Sequence, residues 1–152
     1  MGASVRVFLD TSALFAGIWS AESGARMILK LGEAGAMHLL VSPQVLMEAE
    51  QVLRRKAPDL LGLFALLLDR SGVETVPDAR PDVVQECQAL TGYLADALVL
   101  AAAKGSTVDY FVTLDREHFL RNDQLKRSMP FPVGTPGDFL IWYRGLLSIA
   151  RE

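Results

Sequence analysis

Hydrophobic positions along the chain switch between two periods. Short β-prone apolar runs recur at Val5, Val7, Phe8 and Leu9, at His38 to Val41, at Val73 to Val76, at Tyr110 to Val112 and at Phe131 to Val133. Each has the length and residue types of a buried strand. Between them the apolar residues follow a helical repeat, predicting helices over about 13–19, 22–34, 44–56, 59–70, 81–92, 94–105 and 135–149. The breaks carry stop and start signals: Gly35, Pro58, Gly92, and Ser42 followed by Pro43 as cap and first turn. The helix over 94–105 is apolar nearly all round and should be buried. Residues 116–127 are mixed and polar, without a clear period. Alternating strands and helices predict a single-domain α/β/α sandwich over residues 1–152 with a mostly parallel central sheet. No repeat, low-complexity tract or linker interrupts it.

Against this apolar pattern, the acids stand out. The first strand runs into Asp10-Thr11-Ser12, and the late run Asp109 to Leu114 ends on Asp115 with Thr113 beside it. Ligands of open α/β sheets bind outside the carboxyl ends of the strands. Two parallel strands therefore deliver two aspartates to one edge, an arrangement that suits a hard divalent cation. Capping of the next helix is the plain alternative for Asp10. Asp96 lies in the first turn of the buried helix, where the helix dipole alone would favour an acid. On the helix over 44–56, Glu48 and Glu50 border opposite sides of the face formed by Val45, Leu46, Ala49, Val52 and Leu53, so spacing does not choose between them.

Composition narrows the class. The chain has 152 residues, 51% of them hydrophobic, enough for a sizeable core. Its net charge of −3 does not advertise a nucleic-acid binder, although a bound metal or a local patch can outweigh the total. Cys87 is the only cysteine, so no internal disulfide is possible. The first apolar run is too short for a secretory leader, and Leu60 to Leu68 falls far short of the roughly 20 residues of a membrane span. The expectation is a soluble cytoplasmic protein.

Four stretches in order resemble the acidic motifs of the PIN-domain ribonucleases, many of them VapC-type toxins of toxin–antitoxin pairs. They are Phe8 to Leu14, Ser42 to Glu48, Leu94 to Ala103 and Val112 to Phe119, and Val133 to Leu140 resembles the family's usual ending. The resemblance selects Glu48 over Glu50. It implies a metal-dependent endoribonuclease that hydrolyses RNA phosphodiester bonds with Mg²⁺ or Mn²⁺. Asp10, Glu48, Asp96 and Asp115 are then the catalytic and metal-binding acids, with Ser12 and Thr113 as supporting hydroxyls. Glu48 either holds a second metal or orients the attacking water. Carboxylates gathered in one pocket repel each other, which raises some pKa values until a cation is bound. The resemblance also implies an antitoxin partner, received in an apolar groove near Phe15, Ile18 and Trp19, and a homodimer. Some relatives carry a further acid where this chain has Tyr93, and Glu117 is a candidate extra acid. A housekeeping RNA-processing nuclease and a non-catalytic metal- or RNA-binding module are the alternatives. A phosphatase is disfavoured, because no second acid follows two residues after Asp10.

The remaining polar residues carry weaker signals. Cys87 has no histidine partner motif and reads as a buried thiol. His38 and His118 lack zinc-ligand spacing; His38 reads as structural, and RNA contact is the alternative for His118. Arg54, Arg55 and Lys56 read as solvated surface. Arg116 and Arg121, with Lys126 and Arg127, follow Asp115 and could guide RNA phosphates to the site.

Overall fold

The computed structural model describes residues 4–150. The apolar runs form strands β1 (Arg6–Leu9), β2 (His38–Val41), β3 (Glu74–Thr75), β4 (Tyr110–Val112) and β5 (Val133–Gly134). They make one sheet in the order β3-β2-β1-β4-β5, and every pairing is parallel. Parallel neighbours need long crossovers, which is why helical stretches separate the strands. Leu9 lies opposite Val112, and Val112 opposite Gly134, so β1, β4 and β5 end level with one another. From β1 the chain builds outwards through β2 to β3, then returns to place β4 on the other side of β1. The direction of winding reverses between β1 and β4, and that reversal opens a crevice at the carboxyl ends of these two strands.

The helices are α1 (Thr11–Trp19), α2 (Gly24–Glu33), α3 (Pro43–Lys56), α4 (Leu61–Arg70), α5 (Pro81–Thr91), α6 (Leu94–Lys104), α7 (Asp123–Ser128) and α8 (Pro136–Ala150). Their starts follow local chemistry. The side chains of Asp10, Ser23 and Ser42 accept from the backbone N–H groups of Ala13, Arg26 and Val45, satisfying donors that a helix leaves unpaired. Thr135 and Asp138 exchange reciprocal side chain–backbone bonds of 3.0 and 3.1 Å at the start of α8. Helix α2 packs on α1, α4 and α8, and α5 packs on α6 and α7, while α3 touches both α1 and α6.

The core is aromatic at its centre. Phe8 and Phe111 face each other in register and stack at 5.4 Å. Phe111 also stacks on Phe131 and meets Phe119. Helix α6 is buried as its composition requires, with Ala97 and Val99 to Ala103 all enclosed.

Three local features depart from the sequence reading. Strand β4 stops at Val112, so Asp115 stands three residues beyond the ladder rather than at its last rung. The polar stretch after it is ordered, as a π turn (Arg116–Leu120) followed by α7. The stretch over 59–70 opens with a 3₁₀ turn (Pro58–Leu60), and Phe64 alone is buried in α4 despite that helix's apolar composition. Among the described residues, no helix is long and apolar enough to cross a membrane.

Candidate metal centre and nucleic-acid cleft

Asp10, Glu48, Asp96 and Asp115 line one cleft of about 270 Å³ at the carboxyl edge of β1 and β4. Each comes from a different element. Asp10 follows β1, Glu48 stands on α3, Asp96 lies in the first turn of α6, and Asp115 precedes the π turn. The cleft walls repeat helical spacing: Glu48, Val52 and Lys56 at i, i+4 and i+8 on α3, Thr11 and Phe15 on α1, and Asp96 and Val99 on α6.

Asp10 is the deepest acid, with 4% of its surface exposed. One carboxylate oxygen accepts from the Ala13 N–H at 2.9 Å and the Ser12 hydroxyl at 2.7 Å. The other accepts from the Thr113 hydroxyl. Thr113 Oγ1 also accepts from the Asp115 N–H at 3.0 Å, and Ser12 Oγ accepts from the Leu114 N–H at 2.9 Å. The two hydroxyls thus tie the end of β1 to the chain leaving β4 and hold both aspartates in place. Burial pushes the Asp10 carboxyl up to about 6; its hydrogen bonds oppose this, and the charge of Asp115 adds to it.

Glu48 is half-buried and accepts from the Thr11 hydroxyl at 3.4 Å. Burial raises its pKa, and the charge of Asp96 raises it further. Asp96 is raised by burial and by Asp115, with the charge of His118 opposing. Burial is the main cause at all three acids, and repulsion within the pairs Asp10–Asp115, Glu48–Asp96 and Asp96–Asp115 adds to it.

His118 joins the acids. Its Nδ1 lies 2.8 Å from Asp115 and 3.4 Å from Asp96. The π turn makes this possible: the N–H groups of Leu120 and Arg121 reach back five residues to the Asp115 and Arg116 carbonyls. The Asp115 side chain accepts from the His118 N–H at 3.0 Å, closing the turn. Such wide turns are frequent at functional sites. Burial disfavours the imidazolium, but the hydrogen bond and charge of Asp115, with Asp96 and Glu117, outweigh it and raise the His118 pKa. Asp96, Asp115 and His118 each offer a ligand atom, all within 4.8 Å of one another. Carboxylate oxygens suit Mg²⁺ and Mn²⁺, and a set of mutually repelling acids is stabilised by a cation. The donor chemistry fits a divalent ion.

Two residues here escape sequence reasoning. Lys56 is exposed like Arg54 and Arg55, but it also borders the cleft, and its i+8 spacing from Glu48 is the available signal. His118 meets Asp96 and Asp115, a position that depends on a turn the sequence does not announce. The other candidates separate. Arg116, Arg121 and Glu117 are exposed and do not line the cleft. Ile18 is in the core, Phe15 walls the cleft, and Trp19 is 56% exposed, stacked on Phe15 at 5.6 Å. Cys87 is buried, as its isolation implied.

A parallel α/β domain with a carboxylate-walled cleft at the reversal point of its sheet is the class these observations define. The chain belongs to the PIN domain family, whose profile matches residues 6–117. No curated protein sequence matches it. Among solved structures it resembles PAE2754 from Pyrobaculum aerophilum (TM-score 0.63, 20% identity, 93% of this chain and 90% of that one). It also resembles VapBC2 from Rickettsia felis, solved bound to a DNA fragment from its promoter (TM-score 0.63, 16% identity, 85% and 97%). A third is Mycobacterium tuberculosis VapC20, described as a sarcin-ricin loop cleaving toxin (TM-score 0.54, 16% identity, 76% and 94%). At these identities the likeness is one of fold.

Proposed function

We propose that this protein is a divalent-metal-dependent endoribonuclease that hydrolyses RNA phosphodiester bonds, and that it acts as the toxin of a toxin–antitoxin pair. The observation that carries the nuclease reading is the convergence of Asp10, Glu48, Asp96 and Asp115 on one cleft. Family membership supports it. The toxin reading draws support from the fold shared with VapBC2 and VapC20. Exposed Trp19 offers an antitoxin segment an apolar contact, and a homodimer is part of the same proposal.

Asp96, Asp115 and Asp10 would hold the metal, with His118 completing the set at Asp96 and Asp115 once its ring nitrogen gives up its proton. When bound, a Mg²⁺ or Mn²⁺ ion supplies the positive charge that offsets the acids, attracts the phosphodiester and acidifies water. The protein's own groups do the rest. Ser12 and Thr113 fix the Asp10 carboxylate, so its orientation needs no rearrangement when substrate arrives. Glu48, raised by burial and fixed only loosely by Thr11, is suited to orient water and take up its proton. Lys56 presents an ammonium to the phosphate at the cleft wall. Phe15, Val52 and Phe119 give the cleft an apolar lining that strengthens these charge interactions.

Cleavage of a mixed RNA pool in Mg²⁺, Mn²⁺ or EDTA tests the reading, with the native protein beside Asp10→Asn and Asp96→Asn. Cutting is expected only with a divalent ion and is lost by at least about a hundredfold in each folded variant. Equal cutting by native and variant proteins would overturn it. Induced expression is expected to arrest growth, with relief from a neighbouring gene. Unaffected growth would assign the nuclease to RNA processing instead.

A further inference from the structure

One large ring borders this site through His118. Tyr93 precedes α6 and is 56% exposed. Its backbone is nonetheless pinned. The Tyr93 carbonyl accepts from the Thr91 hydroxyl at 2.9 Å and from the Ala97 N–H at 3.0 Å. The Tyr93 N–H donates back to Thr91 Oγ1 at 3.2 Å. Its side chain rests on the His118 imidazole, with ring centroids 4.7 Å apart and planes inclined at 58°. His118 in turn reaches Asp115 and Asp96. Asp96 itself lies three residues after Tyr93, in the first turn of the helix that Tyr93 precedes.

This is a firmly mounted aromatic surface against His118, next to but not among the residues that line the acids' cleft, supported on one side and open to solvent on the other. The open side of the residue leaves room for a second flat group against the ring. What arrives at the neighbouring acids, on the nuclease reading, is a phosphate carrying a base on either side. Every nucleobase offers a flat π face, and aromatic side chains bind unpaired bases by stacking with little regard to sequence. We propose that Tyr93 is the stacking platform for an unpaired nucleotide adjoining the scissile phosphate. This rests on the nuclease reading above and adds to it a residue that contacts an unpaired nucleotide.

The test compares native protein, Tyr93→Ala, Tyr93→Phe and Tyr93→Trp on a single-stranded RNA oligonucleotide, in steady-state cleavage with Mn²⁺. A parallel set of oligonucleotides carries one abasic nucleotide at each position flanking the cut. Tyr93→Ala is expected to raise KM roughly 5- to 100-fold, with a smaller change in kcat, while the Phe and Trp variants keep the native KM. One abasic position should impose the same loss on native protein and no further loss on Tyr93→Ala, the mark of a direct contact. An unchanged KM in Tyr93→Ala would overturn the proposal. So would abasic losses equal in native and variant proteins. A fall in Mn²⁺ affinity in Tyr93→Ala, read from thermal midpoints without RNA, would also overturn it, because the ring would then be acting through His118. If the native protein cuts no RNA, the nuclease reading fails and this proposal with it; if it cuts and Tyr93→Ala matches it, only this proposal fails.

Discussion

At the scale of single residues, Asp10 shows how a site can work against the fold that carries it. Its carboxyl is almost wholly enclosed and held up to about 6, against an ordinary 3.8. Below about pH 3.8 the proton is bound in both folded and unfolded chains. Between 3.8 and about 6 the folded chain keeps a proton that the unfolded chain has lost, so stability falls as pH rises through this window. Above 6 the whole cost stands, about 3 kcal/mol at about 1.36 kcal/mol per pH unit. Asparagine keeps the shape and can still accept from Ala13 and Ser12 while its amide faces Thr113. In EDTA, Asp10→Asn is therefore expected to unfold at higher denaturant than the native protein at pH 7.5. The advantage should shrink as pH falls and vanish below about pH 4. Denaturant titrations of both proteins across that range check it, and a native protein that is the more stable of the two at pH 7.5 would contradict it. The position of Asp10 was legible in the sequence, because an acid directly after an apolar strand has few places to go. The partnership of His118 with Asp96 and Asp115 was not, since it depends on a π turn that brings residue 118 back over residue 115.

At the scale of elements, the sequence pattern was most readable where burial is most complete. Strands β1 and β2 and helix α6 appear where their apolar runs require them, as these segments are enclosed on nearly all sides. Helix α7 leaves no pattern in the sequence, because it has six residues and one buried side chain, Leu125, too little for a period to show. Its only advance notice is Asn122, whose side chain accepts from the Leu125 N–H. Close packing between elements also sets where small residues are required. A Cβ on Gly32 of α2 would lie 2.6 Å from Leu39 Cδ1 of β2 and 2.9 Å from the Ser71 carbonyl oxygen. Alanine there gains about 1 kcal/mol of helix propensity but forces a fully buried leucine and a backbone group to move. Overpacking of this kind costs about 1–3 kcal/mol. Gly145 on α8 has nothing within 4 Å of the same position. Chemical denaturation should show Gly32→Ala destabilised by up to about 2 kcal/mol and Gly145→Ala stabilised by up to about 1 kcal/mol. If both changes have the same sign, the contact between α2 and β2 is not as tight as described.

At the scale of the whole molecule, the cleft joins parts of the chain that are far apart in sequence. Its acids come from the chain leaving β1 and β4 and from α3 and α6, so they report on the assembled fold and not on any one segment. An unfolded chain scatters these groups and holds a cation poorly. A divalent ion binding the assembled site must then stabilise the folded state by mass action, by about 2.7 kcal/mol at a hundred times its dissociation constant. For a chain of this length that corresponds to a rise in thermal midpoint of roughly 5–10 °C. The rise should be reversed by EDTA and strongly reduced in Asp96→Asn, which removes a charged ligand while leaving the core around Ala97 and Leu100 untouched. It should persist in Arg116→Ala, whose side chain lies outside the cleft. Scanning calorimetry of the three proteins with and without Mn²⁺ separates the possibilities. A midpoint that moves equally in all three would mean that the ion binds elsewhere on the acidic surface. No movement in the native protein would mean that the four acids do not form a metal site without RNA, and a phosphate would then have to complete the ligand set.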